Sequence, residues 1–336
     1  MKLNHPSNIY RHCGRIFLST LLLSVALCGL RAEAAGRADF PAKGKTITWI
    51  VPTSAGGSSD IGARLLAAPL EKELGVRIQV DNKPGAGHQV GMTALSRSKP
   101  DGYTIGNVSL PQTLTLYLDP ERKTIFTRKS FQPLALQVVD PGTLCVLPKS
   151  PYKTVKDLVA AAKASPGKIK VSATGVLSDE HIAILQLQRL TGVKFAIVQF
   201  DGAAPSMAAL LGGHTDVYFG NVGDTVSQLK AGEIRCLGIM DQEESDLMPG
   251  VKTFESQGIK LVSSSSRGLL APAGVPKEIV AILAEAAKKA MLNEEFKRKM
   301  KDEGLTIRYM DPQKMEAYWT DMEERVKPFI EEAKKK

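Results

Sequence analysis

The stretch ITWIVPTSAGGSSDIGARLL, residues 47–66, constrains the fold more than any other part of the chain. β-Branched and aromatic residues run up to Val51-Pro52, and a loop of small residues follows. Apolar residues then recur at helical spacing through Ile61, Leu65, Leu66, Leu70 and Leu74, to a stop at Gly75. Strand, small-residue loop and helix in that order make the first half of a parallel β-α-β unit. VRIQVDN, the loop KPGAG, a helix from about Gln89 to Ser98 and the strand YTIGNVS extend it to βαβαβ. This predicts an α/β fold with a mostly parallel sheet and helices on both faces. Pro69 predicts a kink in the first helix.

A second unit begins near Val138. TLCVLP reads as a strand and TVKDLVAAAKAS as a helix, with Thr154 at the N-cap and Asp157 three residues on, close to a capping box. KIKVSAT, FAIVQF, TDVYFG and IRCLGIM read as strands. SDEHIAILQLQRLTG, closed by Gly192, and APSMAALLGG read as helices. GLLAPAGVPKEIVAILAEAAKKAML then turns the chain back into a long amphipathic helix, and the last helix spans about 312–334. Two α/β units with helices left over predict a first lobe completed by the C-terminus. The expected division is 35–138 with 266–336 as one lobe and 139–265 as the other. The chain should cross between them near 136–141 and 262–270. SSSSRGLLAP has the composition of a crossing segment rather than of an element interior.

The N-terminus reads as an export signal. Lys2, Arg11 and Arg15 precede an apolar run from Ile16 to Leu30, and Ala32-Glu33-Ala34 is an A-x-A cleavage pattern. A signal peptide over 1–34 places the mature protein in the periplasm. Val25-Ala26-Leu27-Cys28 loosely resembles a lipoprotein motif, but Leu27 is large for that position. Signal removal takes away Lys2, Arg11, Arg15, Arg31 and Glu33 and lowers the formal charge from +9 to +6. A moderately basic surface suits an anionic ligand without locating a site. Cys145 and Cys236 remain, both in strand-like runs. They pair in an oxidising compartment or stand as two buried thiols. An aromatic share of 6% argues against a base-stacking surface, so no nucleic-acid partner is expected.

Enzyme signatures are missing from the sequence. There is no GxSxG, HExxH or Walker pattern. His88, His181 and His214 are not spaced with Cys or carboxylates as metal ligands, so no metal is expected. In PGAGHQVG the glycines at 85, 87 and 91 are one residue too far apart for a dinucleotide loop. What remains are four small-residue loops between strand and helix: SAGGSSD (54–60), PGAG (84–87), SATGVLSD (172–179) and DGAAPS (201–206). In parallel α/β units such loops lie at the C-terminal edges of the strands. Backbone amides and helix dipoles there hold a carboxylate without an arginine.

TWIVPTSAGGSSDIGARLL, LEKELGVRIQVDNKPGAGHQVGMTALSRSKPDGYTIG, KASPGKIKVSATG, DGAAPSMAALLGGHTDVYFGN, LKAGEIRCLGIM and RGLLAPAGVPKEIV follow one another in order over nearly all of the mature chain. This pattern resembles the periplasmic solute receptors of tripartite tricarboxylate transporters, the Bug family. The resemblance implies a two-lobed type II periplasmic-binding fold with a ligand cleft between the lobes. It implies a small organic carboxylate as ligand, membrane permease subunits as partners, a monomer, no cofactor and no catalytic activity. A periplasmic sensor component and a secreted enzyme on a related fold are the alternatives.

Carried over residue by residue, the resemblance places Ser54, Ala55, Gly56, Gly57, Ser58 and Asp60 in a first ligand loop, with Gly87 beside it. Asp60 is expected to cap the helix or to position the loop or a water. Thr174, Gly175, Val176, Ser178 and His181 form the second loop, with Ser178 as a helix cap and His181 as either a ligand contact or a structural residue. Asp201, Gly202, Ala203 and Asn221 complete the set. Thr53, Val176, Leu177 and Asp201 depart from the family pattern, Asp201 standing where a Lys is common. The departures at Val176, Leu177 and Asp201 imply a ligand with one anchored carboxylate and an apolar or aromatic body, rather than citrate.

Overall fold

The computed structural model describes residues 40–200 and 202–334. The leader, Cys28 and Asp201 therefore lie outside the described residues. The described residues from Lys43 onward form one compact unit.

β1 (Thr46–Val51), α1 (Ser58–Leu74), β2 (Arg77–Asn82), α2 (Gln89–Ser96) and β3 (Thr104–Leu110) are the expected opening, and β1 lies between β2 and β3 with all three parallel. α1 stops at Gly75, whose φ of +68° ends the helix while its amide donates to Glu71 O. α1 is one continuous helix with Pro69 inside it. α3 (Gln112–Leu118) follows β3 across Pro111.

The next strand departs from expectation. β4 (Phe131–Val146) is sixteen residues long and passes from one half of the sheet to the other. Then come α4 (Val155–Ala164), β5 (Lys170–Ala173), α5 (Asp179–Thr191), β6 (Ala196–Gln199), α6 (Ala203–Leu211), β7 (Val217–Asn221), α7 (Val222–Lys230) and β8 (Arg235–Ile239). The capping box at α4 is present: Asp157 N donates to Thr154 Oγ1 and Thr154 N to Asp157 Oδ2. β5 pairs in parallel with β6 and β7. β4 runs antiparallel to β7 and β8 through its second half.

β9 (Ser264–Pro272) returns antiparallel to both β3 and β4. The serine-rich segment is thus a regular strand, not an irregular crossing. Its hydroxyls explain why: Ser264 and Ser266 share hydrogen bonds with Tyr318 Oη, at 2.9 and 2.6 Å, so polar side chains are satisfied inside a buried strand. Parallel pairing holds for β2–β1–β3 and β6–β5–β7, but β4, β8 and β9 pair antiparallel, so the sheet is mixed rather than mostly parallel, and β4 runs through both halves.

α8 (Lys277–Met291), α9 (Glu294–Asp302), β10 (Ile307–Met310) and α10 (Pro312–Val326) close the chain. α8 and α9 pack on α1, and α10 packs on β4. α10 ends before Pro328, and Lys327–Phe329 form a 3-10 turn, so the last α-helix is shorter than expected. Trp319 of α10 is fully buried, donates Nε1–H to Tyr117 Oη at 3.0 Å and lies under Arg128. Leu144, Val171, Leu187 and Phe219 belong to a second apolar core, in the other half. Cys145 of β4 and Cys236 of β8 are cross-strand partners joined by a disulfide, with Cα atoms 4.0 Å apart.

Candidate functional site

β1, β2 and β3 are parallel, so the loops that follow them share one edge of the sheet. Ser54 to Ser58 are exposed there. Gly56 has φ +83°, a left-handed conformation that favours glycine. Gly57 occupies the N-cap of α1, so Asp60 is not the cap; it is buried in the helix's first turn. Its Oδ2 accepts Gly56 N at 2.8 Å and Arg64 Nε at 3.0 Å, and its Oδ1 accepts Asn82 Nδ2 at 2.9 Å. Asn82 Nδ2 also donates to Thr53 O. Asp60 therefore ties the loop after β1 to the end of β2. Burial opposes its ionisation, but these hydrogen bonds hold its carboxyl below the usual range.

No side chain caps α1, and the amides of Gly57, Ser58 and Ser59 have no acceptor among the described residues. Three free N–H groups and the positive end of a seventeen-residue helix thus face an open edge. A β-carbon on Gly57 would meet only Ser54 O, at 3.8 Å, and the residue's φ of −80° suits any side chain. The fold does not demand glycine here; open space in front of the backbone is what glycine leaves.

The neighbouring loop is strained. Gly85, Ala86, Gly87 and His88 all have positive φ, and for Ala86 and His88 this is costly. Gly87 lies close to the Gln112 side chain. Burial pushes the His88 imidazole down to about 4, so it is neutral at physiological pH.

β5, β6 and β7 likewise bring their following loops to one edge. Thr174 Oγ1 donates to Glu180 Oε2 at 2.5 Å, and Gly175 N, at φ +122°, to Gln199 Oε1. Val176 is 51% exposed, whereas Leu177 is buried in the apolar core that also holds Ile182 and Leu185. Ser178 Oγ accepts His181 N and caps α5. His181 is buried, its Nδ1 accepts Leu177 N at 3.1 Å, and burial lowers its pKa. It holds the loop's shape. Gly202, at φ +114°, and Ala203 open α6. Asn221 opens α7 and donates Nδ2–H to Asp179 Oδ2 at 3.0 Å.

Sequence reasoning missed the polar groups where the two halves meet. Asp140 lies on β4 where it passes between them; its Oδ1 accepts Gly223 N at 3.0 Å, and its Oδ2 is 3.9 Å from Arg267 Nη2. Arg267 on β9 stands opposite Ser109 on β3. Burial pushes Asp140 up to about 7; Arg267 and the Gly223 amide oppose the rise, while Asp224 and Asp179 add to it. Burial and Asp179 push Glu180 up to about 8, and burial raises Asp179 and Asp224 as well. The one available signal was a charge inside an otherwise uncharged run: Arg267 in SSSRGLL and Asp140 in VVDPGTL.

Two cavities of about 470 and 580 Å³ lie elsewhere. The first is lined by Gln186, Arg189, Lys260 and Arg325, the second by Lys156, Lys163 and Gln257. None of the candidate residues lines either. Among the described residues no cluster of His, Cys, Asp or Glu is arranged to hold a metal, and no helix is long and apolar enough to cross a membrane. The donor-rich start of α1 is equipment for holding an anion.

Comparison with known proteins agrees with this equipment. Residues 62–334 match the family described as the tripartite tricarboxylate transporter family receptor. A Cupriavidus necator protein named for the gbd 5' region, UPF0065, is 32% identical over 91% of this chain and 96% of its own length. A TctC solute-binding protein from Polaromonas, solved without ligand, superimposes with a TM-score of 0.77 at 27% identity, covering 87% of this chain and 99% of that one. MatC from Rhodopseudomonas palustris, solved with bound malate, superimposes at 0.71 with 26% identity, covering 85% and 99%. With a two-lobed periplasmic-binding fold and a family match across most of its length, this chain belongs to the receptor family of the tripartite tricarboxylate transporters, the Bug family.

Proposed function

We propose that this protein is a periplasmic receptor that closes on a small organic carboxylate and delivers it to the permease of a tripartite transporter. The observation that carries the reading is the start of α1, where three backbone amides without acceptors among the described residues meet the helix dipole in front of an open glycine loop. The lobes are 35–138 with 266–336 and 139–265, hinged at β4 and β9. Ser54 to Ser58 and Gly87 serve the first lobe's side of the cleft. Thr174 to Val176, Gly202, Ala203 and Asn221 serve the second. Asp60, Ser178 and His181 hold the loops in shape. A relative solved with malate supports a carboxylate ligand.

Thermal denaturation against a panel of organic acids tests this. A ligand at about a hundred times its Kd adds about 2.7 kcal/mol of stability. For a chain of this size the melting temperature then rises by several degrees. The reading fails if no acid in the panel raises it.

A further inference from the structure

α4 has two faces. Val155, Leu158 and Ala162 are buried in the second apolar core. Lys156, Val159 and Lys163 follow one another at turn spacing on another face, Val159 half-buried and both lysines exposed. That face is one wall of the cavity of about 580 Å³. The end of α5 and the segment 257–260 supply the other walls, through Leu190, Ile259 and Lys260. Gly258, at φ +85°, turns that segment under Lys156, so that a β-carbon there would meet Lys156 Cε at 3.9 Å. The lining joins three aliphatic side chains to three lysines, and it includes no carboxylate.

Two features set this groove apart from ordinary surface. On α9, Lys297 and Lys299 pair with Glu294 and Glu295 of their own helix, at 2.9 and 2.8 Å. Lys156, Lys163 and Lys260 have no ion-pair partner among the described residues. Leu190 is 54% exposed, while Leu185 and Leu187 of the same helix are buried. A single exposed leucine needs no explanation. One that joins Val159 and Ile259 in the wall of a concavity is an apolar anchor point.

The lining defines the chemistry of what would cover it: aliphatic contact along the wall and negative charge at three places around it. Its length argues for a chain segment. Leu190 and Lys260 also line the neighbouring cavity of about 470 Å³, so the groove continues past its own end. A small-molecule pocket buries most of its ligand, whereas a segment laid in a groove keeps one side in solvent. A flat lipid surface would meet protruding lysines, not a concave wall. The groove also lies away from the ligand loops. α5 begins at their edge and runs thirteen residues, about 20 Å at 1.5 Å each, and Leu190 stands in its last turn. An occupant of the groove therefore leaves those loops free.

We infer that this groove docks an acidic, amphipathic segment of a partner protein, with its apolar residues on Val159, Leu190 and Ile259 and its carboxylates on Lys156, Lys163 and Lys260. Under the receptor reading above, that partner is a membrane subunit of the transporter; only this identification rests on that reading.

Two peptides test it on the full mature chain. Both carry leucine along one helical face; one carries glutamate on the other face, and its counterpart carries glutamine. Calorimetry should show one acidic peptide per chain, bound at least about tenfold tighter than the glutamine peptide, with the difference shrinking as salt rises. A photoreactive group on one leucine should crosslink to 156–163, 190 or 257–260, as read by mass spectrometry. Lys156→Glu, Lys163→Glu and Lys260→Glu together should weaken the acidic peptide at least about tenfold, and Leu190→Ser should weaken both peptides. Gly57→Val should bind the acidic peptide as the wild type does, which keeps this result separate from the fate of the ligand loops. The inference is overturned if neither peptide binds, if the two bind alike, if the crosslinks fall elsewhere, or if the triple lysine variant binds the acidic peptide as before. Lysine-dependent binding to phosphatidylglycerol vesicles without peptide binding would also overturn it and assign the face to a lipid surface.

Discussion

The carboxylate of Asp60 accepts the backbone amide of Gly56 across a single turn, at 2.8 Å, and in doing so fixes the loop from which α1 presents its free amides. The same carboxylate reaches Asn82 at the end of β2. Asp60→Ala should therefore act on both stability and affinity. It leaves the Gly56 and Asn82 donors without their acceptor, at about 1–3 kcal/mol. Denaturant unfolding of the free protein and calorimetry of the ligand complex measure the two effects. An unchanged affinity would show that the loop keeps its shape without Asp60.

Gly57→Val separates binding from folding. Its β-carbon has room, and its backbone angles suit a branched residue. The free protein should keep its stability to within about 0.5 kcal/mol, as surface substitutions do. The valine then fills the space in front of the amides, and ligand affinity should drop at least tenfold, which corresponds to about 1.4 kcal/mol. Normal binding by a folded variant would make the loop a turn and nothing more.

How far the site could be read from the sequence depends on which forces made it. The loops around Gly56, Gly175 and Gly202 were legible because positive φ selects glycine locally. So was the Thr154 cap, a contact three residues long. β9 was not legible: its serines are satisfied by Tyr318, more than fifty residues away. The Asp140–Arg267 pair spans β4 and β9, and only their antiparallel pairing brings it together. The resemblance leaves His181 as a ligand contact or a structural residue, and its bond from Leu177 N to Nδ1 is one that only the folded turn reveals.

Asp140→Asn should stabilise the ligand-free protein in a pH-dependent way. The folded state raises this carboxyl from 3.8 to about 7, so the native protein holds a proton that the unfolded chain gives up. The unfolded chain binds fewer protons over that range, so the wild type loses stability as pH rises from about 4 to 7. Asn carries no charge and escapes this loss, and its Oδ1 still accepts Gly223 N. The melting-temperature difference between variant and wild type should grow across that window and level off above it. Asp179, Asp224 and Arg267 face the Asp140 carboxyl, so the difference reports its charge together with its action on theirs. A constant difference from pH 4 to 8 would contradict the assignment.

Cys145 and Cys236 close a loop of 91 residues in sequence separation. Disulfides of this kind typically contribute about 2–4 kcal/mol, largely through the unfolded chain. Cys145→Ser with Cys236→Ser should lower the melting temperature by several degrees while leaving ligand affinity within a factor of two or so, since both positions lie on strands away from the loops. Mass spectrometry of alkylated protein, with and without reductant, checks that the bond forms.

Native mass spectrometry of the protein purified from a periplasmic extract is the most direct test of the receptor assignment. Gentle ionisation keeps a bound molecule in place, and denaturation of the same sample releases it for identification. We expect one small organic acid per chain, released on unfolding and absent from the Gly57→Val variant. A molecule without a carboxylate, or an acid bound equally by the wild type and Gly57→Val, would contradict the account.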